Sequence, residues 1–289
     1  MFRRATTWLA LAPALALIGL LFGASIVYGV GQSLGWLPFL GQRAISLDAY
    51  RNVLAGPDHA PEFWRALGFS LWVSGAATLL SALLALLVVA GLDERRRPAR
   101  RTTTLLNLNL AFPHLVWAIG LSLLLAQSGL LARIAAALGL IDGPAAFPVL
   151  VRDRFGLGII LAYIGKETPF LLLMLLAVVR TQPAEYGLVA ENLGASRWQR
   201  IRYVTLPLVA PALLAGSLLV FAFIFGAYEV PALLGVRFPE MLSVLALDFF
   251  LNPDLRARAE GMAISVLMAL VVLVVVGLAL RLRRRWSAT

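Results

Sequence analysis

The chain has 289 residues, 61% of them hydrophobic and only 14% charged, with a formal net charge of +10 and no cysteine. Soluble domains run nearer half apolar and a quarter charged, so this composition points to a lipid-embedded chain, and the missing thiols exclude disulfide frameworks and thiolate metal centres. The positive charge invites a nucleic-acid reading, which fails because the basic residues lie between long apolar runs and form no separate recognition element.

In chain order the first apolar run covers residues 7–30. Arg3 and Arg4 precede it and Ala14-Leu15-Ala16 interrupts it, as in a secretory leader. The run continues well past that triplet, and a leader core is only about 7 to 15 residues long, so an uncleaved span is expected. The loop 32–65 carries Leu47, Tyr50, Val53 and Leu54 at helical spacing, the pattern of a short amphipathic helix on the membrane surface. A second run covers 66–92, and an arginine cluster at 93–104 follows it. The third run, 105–126, holds Asn107, Asn109, Pro113 and His114 in its first half. The fourth, 155–179, contains Lys166 and Glu167 with Pro169 close behind. The fifth, 206–234, contains Tyr228, Glu229 and Pro231, and the sixth covers 261–280. A span needs about 20 mostly apolar residues. The runs are continuous rather than alternating, so helices are expected and β-strands are not.

The fold predicted is therefore all-α: a polytopic bundle of about six transmembrane helices forming a single domain over 1–289. With the N-terminus inside, fifteen of the 25 Lys and Arg residues lie on the inner side with only four acids, Asp93, Glu94, Glu185 and Glu191. The positive-inside rule then puts both termini in the cytoplasm.

The inner segment between the fourth and fifth runs, about 184–205, is neither a tight turn nor a charge run. A short helix over 184–193 would end at Gly194, because glycine readily adopts the left-handed conformation at a helix C-terminus. Ser196 can cap a second helical stretch from Arg197, and Pro207 starts or kinks the next span. Leu193, Trp198, Ile201 and Val204 stand among arginines there. Such an element suits either interfacial lipid or docking into a partner's groove.

This segment resembles the conserved cytoplasmic loop of permease subunits of type I ATP-binding-cassette importers, the EAA motif: Glu-Ala-Ala, three residues, Gly, and some nine residues later a hydrophobic residue before x-Leu-Pro. Gly194 fills the glycine position, Ala195 and Ser196 follow it, Ala190 matches the second alanine, and Val204-Thr205-Leu206-Pro207 matches the distal end. Leu188 and Val189 replace the usual Glu and first Ala. The resemblance runs from about Leu47 to the C-terminus, with a core permease region over about 62–280. The stretch from Phe225 to Gly235 is most similar to the polyamine, ferric-iron and phosphonate branch.

The resemblance implies a multi-pass protein of the cell inner membrane that works with two cytoplasmic ATPase subunits, a second permease subunit of the same or a different kind, and an extracytoplasmic substrate-binding protein. ATP and Mg would sit on the ATPase subunits, with no cofactor and no catalysis on this chain. The coupling residues would be Ala190, Glu191, Asn192, Leu193, Gly194, Ala195, Ser196, Trp198, Gln199 and Pro207. The chain itself lacks a phosphate-binding loop, and Gly165-Lys166-Glu167 is only a partial likeness inside an apolar span.

Charged residues inside a span cost about 2.5–3.5 kcal/mol on insertion scales and face a cavity or a partner. Lys166, Glu167, Tyr228, Glu229 and His114 are therefore candidates for a translocation pathway. The alternative is interhelical pairing, such as Lys166 with Glu229. A lone histidine does not make a metal site, and none is expected. The competing function is a stand-alone secondary transporter or channel using the same charges as an ion relay, but no inverted repeat supports it.

Overall fold

A computed structural model describes residues 2–91, 100–181, 189, 190 and 192–286. The elements are α1 (Phe2–Ser33), α2 (Asp48–Ala55), α3 (Ala60–Gly91), α4 (Arg100–Ala111), α5 (His114–Leu125), α6 (Leu130–Ala137), α7 (Leu157–Thr181), α8 (Arg197–Arg200), a π-helical turn (Ile201–Thr205), α9 (Leu206–Gly226), α10 (Glu229–Leu234), α11 (Leu242–Phe250) and α12 (Ala257–Trp286). No strand occurs among the described residues. Six helical stretches are long and apolar enough to cross a membrane: 11–33, 60–91, 114–137, 157–181, 197–226 and 257–282. The all-α, six-span reading holds.

Packing divides the stretch 1–289 into two compact units, 1–64 with 242–289, and 65–241. No linker separates them at the first boundary, which falls inside the continuous helix α3. In the first unit α12 packs against α11, α1 and α2. The outer segment expected to lie on the membrane surface is indeed helical, but α2 turns Ala49 and Val53 inward and packs on α12. A hydroxyl pair, Ser33 Oγ to Tyr50 Oη at 2.8 Å, ties α2 to the end of α1. Along α1, Leu17, Leu20, Phe22 and Val27 are exposed. In a spanning helix such a face has lipid as its natural solvent.

In the second unit α7 is the central element, packed by α4, α5, α9 and α10. Its buried face includes Ile159, Tyr163, Leu171 and Leu175, and α9, packed against it, buries Val220, Ile224 and Phe225. The two helices approach closely at Gly216, where a Cβ would come 2.7 Å from Leu171 Cδ2 and 2.8 Å from Met174 Sδ.

Two expected spans are interrupted. The third run does not form one helix over 105–126: α4 stops at Ala111 and α5 begins at His114. Pro113 has no N–H to donate, and it pushes the residue before it out of the helical region. The crossing stretch is instead 114–137, α5 and α6 together. The fifth run, expected to continue to 234, breaks after Gly226 and resumes as the short α10.

Candidate functional site

The segment around Gly194 folds as its residues dictate. The Leu193 amide donates to the Val189 carbonyl at 3.0 Å, and the Ala195 amide reaches back to the Ala190 carbonyl at 3.0 Å. Gly194 between them has φ +78°. This six-to-one bond with a left-handed glycine is the Schellman ending of a helix, which satisfies an otherwise orphaned carbonyl. Ser196 then opens α8 with a reciprocal cap: its hydroxyl accepts from the Gln199 amide at 3.3 Å, and Gln199 Oε1 accepts from the Ser196 amide at 2.7 Å. Glu191, and the stretch 182–188 with Glu185 and Leu188, lie outside the described residues.

After α8 the chain makes the π-helical turn and enters α9, with Pro207 in its first turn, where a missing amide costs nothing. The turn changes which side chains show. Ile201 and Val204, expected on the surface, are half-buried, whereas Tyr203 is exposed. Leu193 is 82% exposed and Trp198 71%. A shallow hollow of about 290 Å³ lies between Ala190, Leu193, Gly194, Gln199 and Tyr203. Leu193 and Tyr203 line this open hollow and Trp198 stands exposed on the adjoining α8, which makes a surface suited to receive a partner. No heavy atom lies within 4 Å of the position a Cβ would take at Gly194.

The polar residues expected within the spans divide into two groups, of which Lys166, Glu167 and His114 lie in crossing stretches while Tyr228 and Glu229 lie beyond the end of the fifth, 197–226. Lys166 is 2% exposed, and its ammonium donates to the backbone carbonyls of Asn109 at 2.6 Å and Phe112 at 2.7 Å. These carbonyls belong to the end of α4, where intrahelical donors run out and where the helix dipole favours a cation. Its neighbour Glu167, also buried, holds His114 Nε2 at 3.0 Å, at the first residue of α5. Two consecutive residues of α7 thus grip both sides of the break between α4 and α5. The ammonium of Lys166 is engaged with the α4 carbonyls, not in the alternative pair with Glu229. Trp117 of α5 adds a bond from Nε1 to the Ala162 carbonyl at 3.1 Å.

The second group faces outward from the chain. Tyr228 is 41% exposed, and Glu229 beside it is exposed too. Phe223, also exposed, lies with its ring centroid 4.8 Å from that of His114. No cluster of three or more His, Cys, Asp or Glu residues able to hold a metal ion occurs among the described residues.

Sequence reasoning found the capped glycine break but missed the partners of Lys166, because backbone carbonyls have no letter in a sequence. Pro113 was the one available signal, since a proline in an apolar run exposes the carbonyls that precede it. Arg197, whose Nη2 donates to the Gly91 carbonyl at 2.9 Å, was also missed.

Residues 88–287, more than half of the chain, match the family described as "Binding-protein-dependent transport system inner membrane component". The chain is 30% identical over 249 residues to the inner membrane ABC transporter permease protein YnjC of Escherichia coli (strain K12), a match covering 85% of this chain and 45% of YnjC. It is 30% identical over 230 residues to the molybdenum transport system permease protein ModB of Mycobacterium bovis, covering 74% of this chain and 82% of ModB. Its backbone matches a solved bacterial ABC transporter involved in the import of the acidic polysaccharide alginate with a TM-score of 0.76, over 98% of this chain and 96% of that one. The identity there is 20%, so this likeness speaks to the fold alone. The chain spans less than half the length of the first curated relatives it matches, 45% and 36%.

Proposed function

Because the chain belongs to the family of binding-protein-dependent transport system inner membrane components, a family of non-catalytic multi-pass membrane subunits, we propose that it is the permease subunit of an ATP-driven importer. Its capped segment at 189–205 is the coupling element. The observation that carries this reading is the exposure of Leu193, Trp198 and Tyr203 around a Schellman turn and a reciprocal cap. The folded chain leaves large apolar side chains uncovered on a rigid element, and a groove on an ATPase subunit would cover them. ATP and Mg act on two such cytoplasmic subunits. Closure there moves the coupling segment, and the spanning helices follow as near-rigid bodies. A second permease subunit completes the pathway, and an extracytoplasmic binding protein delivers the solute.

In this reading Tyr228 and Glu229 line the pathway. An exposed carboxylate on a membrane element is costly against lipid and stable against water or a polar partner. His114 borders the same space through Phe223, while Lys166 and Glu167 set the shape of the wall behind it. With the charge of Lys166 held by α4 carbonyls and that of Glu167 by His114, Glu229 is left to face the solute. This supports a small cation of the polyamine type. Molybdenum and alginate are named only for relatives of this chain.

The test is reconstitution. The chain, coexpressed with its ATPase and binding-protein partners, should copurify with the ATPase subunits and take up labelled spermidine in an ATP-dependent way. Failure to bind any ATPase subunit would overturn the permease reading, whereas uptake of another solute alone would overturn only the substrate assignment.

A further inference from the structure

We infer that Arg197 is a positioning residue: it latches the coupling segment to the end of α3, so that α3 moves with α8. The inference rests on the coupling reading above and names a second route by which motion enters the membrane, besides the covalent one through the π-helical turn into α9.

The geometry is specific. Gly91 closes the described part of α3 (Ala60–Gly91). Arg197 Nη2 donates to its carbonyl at 2.9 Å. The fixed fork of a guanidinium loses less freedom on bonding than an ammonium would. The position of Arg197 is itself set: it is the first residue of α8, directly after the reciprocal cap between Ser196 and Gln199. The side chain therefore leaves from a rigid point, away from neither end of a floppy loop but from a capped helix start. The exposed residues Leu193, Trp198 and Tyr203 remain uncovered for a partner. One face of the segment is thus free to dock, while Arg197 fastens it to a 32-residue helix. A similar tie recurs where Arg180 at the end of α7 donates to Thr103 Oγ1 of α4 at 3.2 Å.

The absence of native cysteine makes the test direct. Spin labels at introduced cysteines, Val88→Cys on α3 and Arg202→Cys beyond α8, both exposed positions outside the docking surface, report the α3-to-segment distance by pulsed electron resonance. The measurement uses the full complex with ATPase subunits, nucleotide-free and trapped with ATP and vanadate. In the otherwise native chain the distance should stay within about 3 Å, the reach of one hydrogen bond, between the two states. In Arg197→Ala the distribution should broaden in both states and its mean should shift on trapping. Arg197→Lys, which keeps one donor, should fall between. An Arg197→Ala distribution indistinguishable from the native one would overturn the latch, as would a native distance that changes as much as the variant's. Loss of ATPase subunits from Arg197→Ala alone would make the residue a docking contact and overturn it as well. If the native chain binds no ATPase subunit, the reading beneath fails first, and copurification shows this before any spectrum is taken.

Discussion

At Gly194 a side chain would meet a conformational cost before a steric one. The residue sits at φ +78° with open space where a Cβ would be. A left-handed non-glycine residue costs roughly 1–2 kcal/mol, so Gly194→Ala should weaken the Schellman turn without a clash inside the chain. At about 1.4 kcal/mol per tenfold, that caps its effect on ATPase binding at roughly thirtyfold. Gly194→Glu pays the same backbone cost and also places a charged, bulky group in the docking surface, where overpacking adds about 1–3 kcal/mol. It should reach the membrane yet lose uptake. Equal binding of ATPase subunits by both variants and the native chain would remove the segment from the coupling role. Glu229 poses a different question, since it stands exposed on the short helix α10, just beyond the crossing stretch 197–226. Glu229→Gln should preserve assembly and cut uptake. Unchanged uptake in proteoliposomes would place the residue away from the pathway, and loss of the complex would make it an assembly contact.

The elements show which physical signals reach the sequence and which do not. Long apolar runs were legible, because spanning a membrane imposes a length and a composition that neighbours cannot override. The breaks at 112–113 and 227–228 were hidden by continuous apolarity: hydropathy counts residues and does not see where the backbone ladder stops. Helices α6 and α11, at 8 and 9 residues, are too short for that signal. The glycine break and serine cap at 194–199 were legible for the opposite reason, since glycine, serine and glutamine are read by local backbone chemistry alone. The grip of Lys166 and Glu167 on the α4–α5 break belongs to this scale too. Lys166→Met would leave the Asn109 and Phe112 carbonyls without their shared donor, and a buried orphaned acceptor costs about 1–3 kcal/mol. The variant should unfold at a clearly lower temperature in detergent, measured by tryptophan fluorescence. A melting temperature equal to that of the native chain would show that the two carbonyls find other donors.

For the whole molecule, the arginine distribution carries a prediction of orientation. Reporter tags fused at Met1 and Thr289 should both be protected from extracytoplasmic protease, and one inserted near Pro57 should be cleaved; a cleaved C-terminal tag would contradict the six-span arrangement. The π-helical turn at 201–205 has a further consequence for the way the molecule is phased. A π turn carries one residue more than the α-helical turn it replaces, and each residue of an α-helix advances the azimuth by about 100°. The angle between the exposed face of α8 and the face that α9 shows to the core is therefore fixed by a single surplus residue. Removing one residue from this turn changes no chemistry that a point substitution would test, yet it turns the docking face about a quarter of the way round the axis of α9. Chain length at this one place acts as an angular setting, and shortening it would leave a complete, inserted protein whose coupling surface points the wrong way.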